Sequence, residues 1–542
     1  MKDIYCDLLE RYNEIGAEGA EAEEKILAGA EDSAYFRVFS QDRINSAEWF
    51  PWNRQMKVLA AGADYGVFAP LAERVARLDI ADPSPDRLDL IRRRFPELAA
   101  DGGRLVLSGT VPDSGYDAVI ADFACGGIPG LFGSSAESEL AGLCGRLKRG
   151  GSLILMANNP NALRTLAGDR QEQKDSLADE ALVRQLCKEA GFAGIRVFYP
   201  LPNAEIAVNI YSDAFLPGSG SFKDISDFVS GDQTAVFNES TLYAALTEKG
   251  VFTDFAPCRI FVLTGCGMAG SDWTENLKLP DYVRYNRSRS EEFSLKTEIF
   301  TEFDQNTAEP SGRFVRKTAL TPAGNAHIQS FAKKYALLSE ELPEEVSILE
   351  PLLGETESGL SFAEFAFISG CELGRKLAAE IKDGRAPEEE IRTALSRLLG
   401  SESAACRNQD ALFENVIVRE DGSFCLIDYE WVSEGPLSRG YMKWRVLSYW
   451  YDAYQGELGA YAGKQAFLES FGISAAAAEK YEVLESAFQQ KVRGSAVFAA
   501  DRFRGQGITP ARIREQELRL KELTDWNLRL QDEIEEDRKS GV

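Results

Sequence analysis

Histidine is almost missing from this chain: His327 stands alone in 542 residues. A Ser-His-Asp triad or a zinc site of several histidines would have to be built around that one imidazole. It reads more simply as a helix-surface or packing residue. The nine cysteines, at 6, 125, 144, 187, 258, 266, 371, 406 and 425, are odd in number and include no C-x-x-C pair. Reduced thiols in a cytosolic protein fit that pattern. No run of eighteen apolar residues exists, so no segment reads as a membrane-spanning helix. Met1-Lys2-Asp3-Ile4-Tyr5 has no basic stretch leading into an apolar one, so no signal peptide is expected. Basic residues are outnumbered, 60 Lys and Arg against 86 Asp and Glu, for a net charge of −26. A chain this acidic offers nucleic acid no general basic face. Small anionic ligands need only a local pocket and remain open.

The chain does have apolar material for folded cores: 44% of it is hydrophobic, with 31 Phe, 18 Tyr and 7 Trp. At 542 residues it is too long for one core, and two or three domains are expected. Residues 1–45 read as a helical segment, acidic and rich in alanine. Then short apolar runs alternate with helical patterns. The runs are Val58–Ala61, Leu78–Ala81, Arg104–Leu107, Asp117–Ala121 and Ser152–Met156. That alternation predicts an α/β fold over residues 46–215, with a parallel, doubly wound sheet. Arg196–Tyr199 and Glu205–Ile210 are candidates for a closing antiparallel hairpin. Leu216-Pro217-Gly218-Ser219-Gly220-Ser221 reads as a boundary. From 216 to 505, strand-like segments such as Tyr282–Tyr285, Arg313–Ala319 and Ser361–Ile368 precede helical patterns, the order of an α+β domain. In the charged tail, 510–540, Ile513, Leu520, Asn527 and Ile534 fall seven apart, with Leu523 and Leu530 between them. That spacing fits a short coiled coil, through which the chain would oligomerise, and equally a single amphipathic helix packed on its own domain.

The first run ends in Gly62-Ala63-Asp64-Tyr65-Gly66. A Gly-rich strand-to-helix turn lets backbone approach a ligand closely. Asp82 ends the second run, where a carboxylate can accept both hydroxyls of a ribose. Asp117 and Asp122 flank the fourth; they are candidates for contacting substrate or adenine, or charges at a strand edge. In order and spacing, Lys57–Gly66, Asp82–Leu88 and Leu147–Leu155 resemble class I S-adenosylmethionine-dependent methyltransferases over residues 46–212. The resemblance implies a Rossmann-like methyltransferase domain that holds S-adenosylmethionine through Gly62, Asp64, Gly66 and Asp82. Two positions depart from it. Ala60 stands where the family usually has an acid that orients the methionine end of the cofactor, and Asp64 where it has a second Gly. Either Asp64 swings inward and replaces the missing acid, or the site no longer binds the cofactor.

A second constellation lies between Asn408 and Trp431. Asp410 is followed by Asn415, then by a turn through Asp421-Gly422, then by Asp428 at the end of the apolar run Phe424–Ile427. A hairpin there would put all three side chains in one cleft. Phosphoryl transfer needs a carboxylate for the attacking hydroxyl and oxygen ligands for Mg²⁺. The spacing resembles the protein-kinase catalytic loop and its metal-binding Asp, with Asn408-Gln409 in place of the usual His-Arg. The resemblance implies Asp410 as the catalytic carboxylate, Asn415 and Asp428 as metal ligands, Lys317 on the phosphates, and Mg-ATP bound. No Glu stands early on the helix expected after Pro322 to pair with Lys317; Glu340, Glu341 and Glu344 come late. No G-x-G-x-x-G precedes Lys317, and Asn286–Ser290 would face the phosphates instead.

A methyltransferase-like domain, a kinase-like domain and a terminal helix or short coiled coil, in that order, resemble the bifunctional kinase–methyltransferases that cap bacterial O-antigen chains. The chain is also similar to bacterial class I methyltransferase-like proteins found with glycosyltransferases, through Glu48-Trp49-Phe50, Tyr199–Pro202, Ile210–Asp213 and Ile427–Trp431. The likeness implies a sugar or glycan acceptor, and a cytoplasmic protein brought to the inner membrane face through partners such as a glycosyltransferase. The alternative is a scaffold: a degenerate methyltransferase joined to a pseudokinase.

Overall fold

The computed structural model describes residues 4–29, 33–100, 102–166, 180–222, 239–268, 277–304, 310–401, 404–435, 437–493, 514, 516–521, 523, 524, 526 and 527. Val58, Leu59 and Ala60 are wholly buried, as are Ala118 to Ala121 and Ile154 to Met156. Unbroken apolar runs of this kind mark parallel strands covered on both faces. They form β1 (Lys57–Ala61), β2 (Arg77–Ala81), β3 (Leu105–Ser108), β4 (Tyr116–Asp122) and β5 (Leu147–Asn158). The strands lie in the order β3-β2-β1-β4-β5, all parallel. Alternate residues feed two cores: Val58, Ala60, Ile80 and Ile120 on one face, Leu59, Ala61, Val119 and Leu155 on the other. The order in which strands are added reverses between β1 and β4, the switch point where doubly wound sheets open a crevice.

β6 (Gly194–Leu201) and β7 (Asn209–Ser212) pair antiparallel, as expected of a hairpin. The hairpin does not close the sheet. β8 (Cys258–Thr264), more than forty residues past the expected boundary at 215/216, inserts antiparallel between β5 and β6. Its seven residues are all buried, so it completes the first core, and the division at 215 cuts through that sheet. β7 instead pairs with β9 (Tyr282–Asn286). From there β10 (Leu295–Phe303) and β11 (Pro310–Ala319) continue the ladder. β12 (Val346–Ile348) lies apart, and β13 (Leu352–Glu355) and β14 (Ser361–Ala366) finish the outer edge. The result is one thirteen-stranded sheet spanning both halves.

The remaining strands are short: β15 (Cys371–Glu372), β16 (Cys406–Asn408), β17 (Val416–Val418), β18 (Phe424–Leu426) and β19 (Val432–Glu434). They sit beside a helical core around Trp450, Phe413, Leu377 and Leu447. The helices Ile4–Ile15, Gly19–Ala28 and Ser33–Phe39 occupy the N-terminal segment and pack through Leu8, Tyr12 and Ile26 against Leu90. Of the tail 510–540, the described residues are helical and exposed; Ile513, Leu530 and Ile534 lie outside the described residues. No helix among the described residues is long and apolar enough to cross a membrane.

Candidate functional site

The C-terminal cleft is assembled by a hairpin. Gly422, at φ +80°, turns β17 into β18, and Asp421 Oδ1 accepts from both Ser423 N and Oγ. The register Val416↔Leu426 sets Asn415 opposite Ile427, whose N–H donates to the Asn415 carbonyl at 2.9 Å. Asn415 and Asp428 thereby become neighbours. Asn415 Nδ2 donates to the Asp410 carbonyl at 2.9 Å, which leaves Asn415 Oδ1 free of that bond. Asn408, in the place of a kinase histidine, is a brace: its Oδ1 accepts from Asp410 N and its Nδ2 donates to the Asp428 carbonyl, both at 3.0 Å. Trp431 N donates to Asp410 Oδ2 at 3.1 Å.

β11 brings Lys317 to the same place. Its Nζ lies 2.8 Å from Asp428 Oδ1 and 2.5 Å from Glu430 Oε1. The glutamate missing from the helix after Pro322 is therefore supplied by Glu430, two residues beyond Asp428. Its side chain is 2% exposed, and its other oxygen is bound by Arg289. The loop Asn286–Ser290 is spoken for at both arginines, because Arg287 Nε donates to Asn45 Oδ1 at 2.7 Å. The electrostatics follow from this crowding of charge in a desolvated cleft. Burial and the charges of Asp428 and Glu430 push the Asp410 carboxyl up to about 7. Burial alone would lower Lys317, but Asp428 and Glu430 raise it to about 12. Burial opposes the charge on Glu430, yet Arg289 and Lys317 hold it well below the usual range. Among the described residues no group of three His, Cys, Asp or Glu is set to hold a metal. Asn415 and Asp428 would hold Mg²⁺ only together with water and phosphate oxygens, the manner in which that ion usually binds.

The N-terminal crevice is arranged differently. After β1, Gly62 turns at φ +93°, and Asp64 (φ 31°) and Tyr65 (φ 53°) also take left-handed conformations that side chains rarely adopt. Asp64 does not replace the missing acid at Ala60. Both its oxygens accept from Arg43 Nη2 at 2.9 Å, and each side chain is 4% exposed. Tyr5 stacks on Tyr65 at 4.1 Å and accepts from Tyr65 N. Asp82 accepts from Ala63 N and Ser84 N and is 1% exposed. The loop after β4 rests on the turn: a Cβ on Gly62 would lie 3.7 Å from Pro129 Cβ, and one on Gly126 3.3 Å from Asp64 Cβ. Arg43 and the 126–129 loop thus crowd the crevice at this turn. Asp122 lies inside it, pushed up to about 7 by burial and by the Asp64 charge. Asp117 lies at the far end of β4, accepting from Lys57 N, away from the crevice.

Lys317, Asp410, Asn415 and Asp428 thus meet in one cleft, and Gly62, Asp64, Gly66 and Asp82 in one turn. Glu430, expected to contact substrate or close its turn, instead holds Lys317 and Arg289, and Arg43 is the participant that sequence reasoning missed. Two acids spaced by Tyr429 at the end of an apolar run were a signal for Glu430. Arg43, in Gln41–Ile44, carried none. The histidine is buried against Phe293 and Trp431, a packing role.

No family model matches the chain, and no curated protein matches it. Among solved structures, an S-adenosylmethionine-dependent methyltransferase of Thermotoga maritima, titled a possible histamine N-methyltransferase, is 16% identical. It covers 43% of this chain and 95% of its own length, at a TM-score of 0.26. WbdD, titled a bifunctional kinase-methyltransferase, is 14% identical over 87% of this chain and 94% of that one, at a TM-score of 0.24. The N-methyltransferase NodS of Bradyrhizobium japonicum is 11% identical over 45% of this chain and 97% of that one, at a TM-score of 0.23. Likenesses of this strength fix neither a family nor an activity.

Proposed function

We propose that this protein is a transferase whose C-terminal cleft moves a phosphoryl group from ATP to a hydroxyl of a sugar or glycan acceptor. The observation that carries the reading is the 2.8 Å contact of Lys317 with Asp428 in the cleft shared by Asp410 and Asn415. In the transfer, the acceptor oxygen bonds to the γ-phosphorus, the bond from that phosphorus to the bridging oxygen breaks, and ADP leaves. The acceptor proton passes to the Asp410 carboxylate, whose raised pKa suits a proton acceptor near neutral pH. Mg²⁺, bound by Asn415 and Asp428, would screen the phosphate charges. Lys317 would turn from Asp428 toward the phosphates while Glu430 keeps it in place. The glycan acceptor and a glycosyltransferase partner rest on the sequence resemblance alone.

For the N-terminal half, the doubly wound order and the Gly62–Gly66 turn support a methyltransferase-like fold. The Arg43–Asp64 pair favours a second reading for it, a closed domain that serves binding or assembly rather than methyl transfer.

Thermal-shift titration tests the first reading. A ligand that binds only the native state must raise the melting point. Mg-ATP should stabilise the wild type, and Asp428→Ala should lose the response. An unchanged response in that variant, or none in the wild type, overturns the phosphotransfer site.

A further inference from the structure

Beside the cleft, on the far side of Glu430, lies a cavity of about 440 Å³. It is bounded by the helices Asn325–Gln329 and Phe331–Glu341, the segment Trp431–Ser433 and the helix Ala475–Arg493. Two ammonium groups line it without an ion pair among the described residues. The His327 side chain, 7% exposed, forms part of the wall with its Nε2 directed at Glu430 Oε2, 3.8 Å away. The Lys334 ammonium has no ion pair or hydrogen bond with the described residues; its Nζ lies 5.0 Å from the centre of the Phe331 ring. Burial holds its ammonium down to about 8 although Glu430, Asp410 and Asp428 all favour the charge. Lys491 reaches the rim from the last helix and is likewise unpaired among the described residues. Glu430 does not neutralise this wall, because Lys317 and Arg289 already hold its two oxygens. Glu292, on the opposite rim, is an exposed carboxylate.

We propose that this cavity binds a phosphate group, with Lys334 and Lys491 supplying charge from two different helices. Lysines act as point charges and suit a tetrahedral oxyanion approached from several sides. The site does not depend on phosphotransfer in the neighbouring cleft. The phosphate is either free or carried on a small molecule such as a sugar phosphate.

Thermal-shift titration of the full chain with inorganic phosphate and with glucose 6-phosphate, at constant ionic strength and without Mg²⁺ or nucleotide, tests it. The wild type should show a saturable rise in Tm. Asp428→Ala should keep it, and Lys334→Met should shift the midpoint at least about tenfold higher. A tighter midpoint for glucose 6-phosphate indicates a carried phosphate; equal midpoints indicate the free ion. Should Lys334→Met fail to fold, Lys491→Met and ³¹P line broadening take its place, with the same expectation. No saturable rise, a rise untouched by both lysine variants, or one lost in Asp428→Ala overturns the proposal.

Discussion

Glu430 Oε1 stands 2.5 Å from Lys317 Nζ, although 113 residues separate the two in sequence. One short segment therefore carries both the expected metal ligand, Asp428, and the group that holds the lysine. Removing the carboxylate should be felt twice. Glu430→Ala leaves Arg289 without its carboxylate and Lys317 with Asp428 alone, a loss of about 3–5 kcal/mol. Glu430→Gln keeps the shape and costs less stability, but should lower ATP turnover about 100-fold, as loss of a fixed electrostatic partner does. Initial-rate assays and denaturant titration on both variants separate these effects. A Glu430→Gln enzyme with unchanged turnover would remove the positioning role.

Asp410 gives a pH signature. Its carboxyl, raised to about 7, is protonated in the native state between about 4 and 7, where an unfolded aspartate is ionised. The native state then binds more protons, so this group's stability contribution is present below about 4 and fades as pH rises through about 7. Activity runs the other way, because only the ionised form accepts a proton. Phosphate transfer should increase with pH through about 7, and Asp410→Asn should be nearly inactive, with a flatter stability profile. A pH-independent wild-type rate would count against Asp410 as the acceptor.

The sequence carried the cleft further than the fold around it. Asp421-Gly422 between two apolar runs names a turn, and the turn's register alone brings Asn415 to Asp428. β1 to β5 were legible because a strand buried on both faces must be apolar throughout. The strand β8 was not. Its apolar run lies beyond a Gly- and Ser-rich stretch, and only three-dimensional packing inserts it between β5 and β6. The fate of Asp64 was equally hidden. Whether a lone carboxylate faces a ligand or an arginine depends on which side chain the preceding helices deliver, and Arg43 has no motif to announce it.

The Arg43–Asp64 pair makes its own prediction. Arg43→Met strands a buried carboxylate and Asp64→Asn a buried guanidinium, each costing about 3–5 kcal/mol. The double variant removes both charges together and should recover most of that loss. Replacing Asp64 by Gly in the Arg43→Met background also relieves the left-handed conformation. That double variant should respond more strongly to S-adenosylmethionine in a thermal-shift titration than the wild type does. Equal responses would mean that the pair is not what closes the crevice.

Glu48 tests how firmly the two halves are joined. Buried at 2% exposure, it accepts from Arg74 at 2.5 Å and from Tyr285 Oη at 2.8 Å, with Lys296 Nζ 3.6 Å away. Arg74 belongs to the first sheet's surroundings, whereas Tyr285 and Lys296 lie on β9 and β10. Burial would raise this carboxyl, but Lys296, Arg74 and Arg287 hold it well below the usual range. Its contribution to stability is therefore complete above the unfolded value near 4.5 and lost as pH falls further. Backbone pairing between β7 and β9 spans three residue pairs, and the core around Ile210, Val283 and Tyr285 crosses the same junction, so this cluster is a polar tie added to both. Glu48→Gln keeps an acceptor for Tyr285 and should flatten the acid side of the stability profile. Glu48→Ala should cost about 3–5 kcal/mol and split one calorimetric transition into two. If the alanine variant still melts in a single transition, the strand pairing and the shared apolar core suffice to make the two halves cooperative.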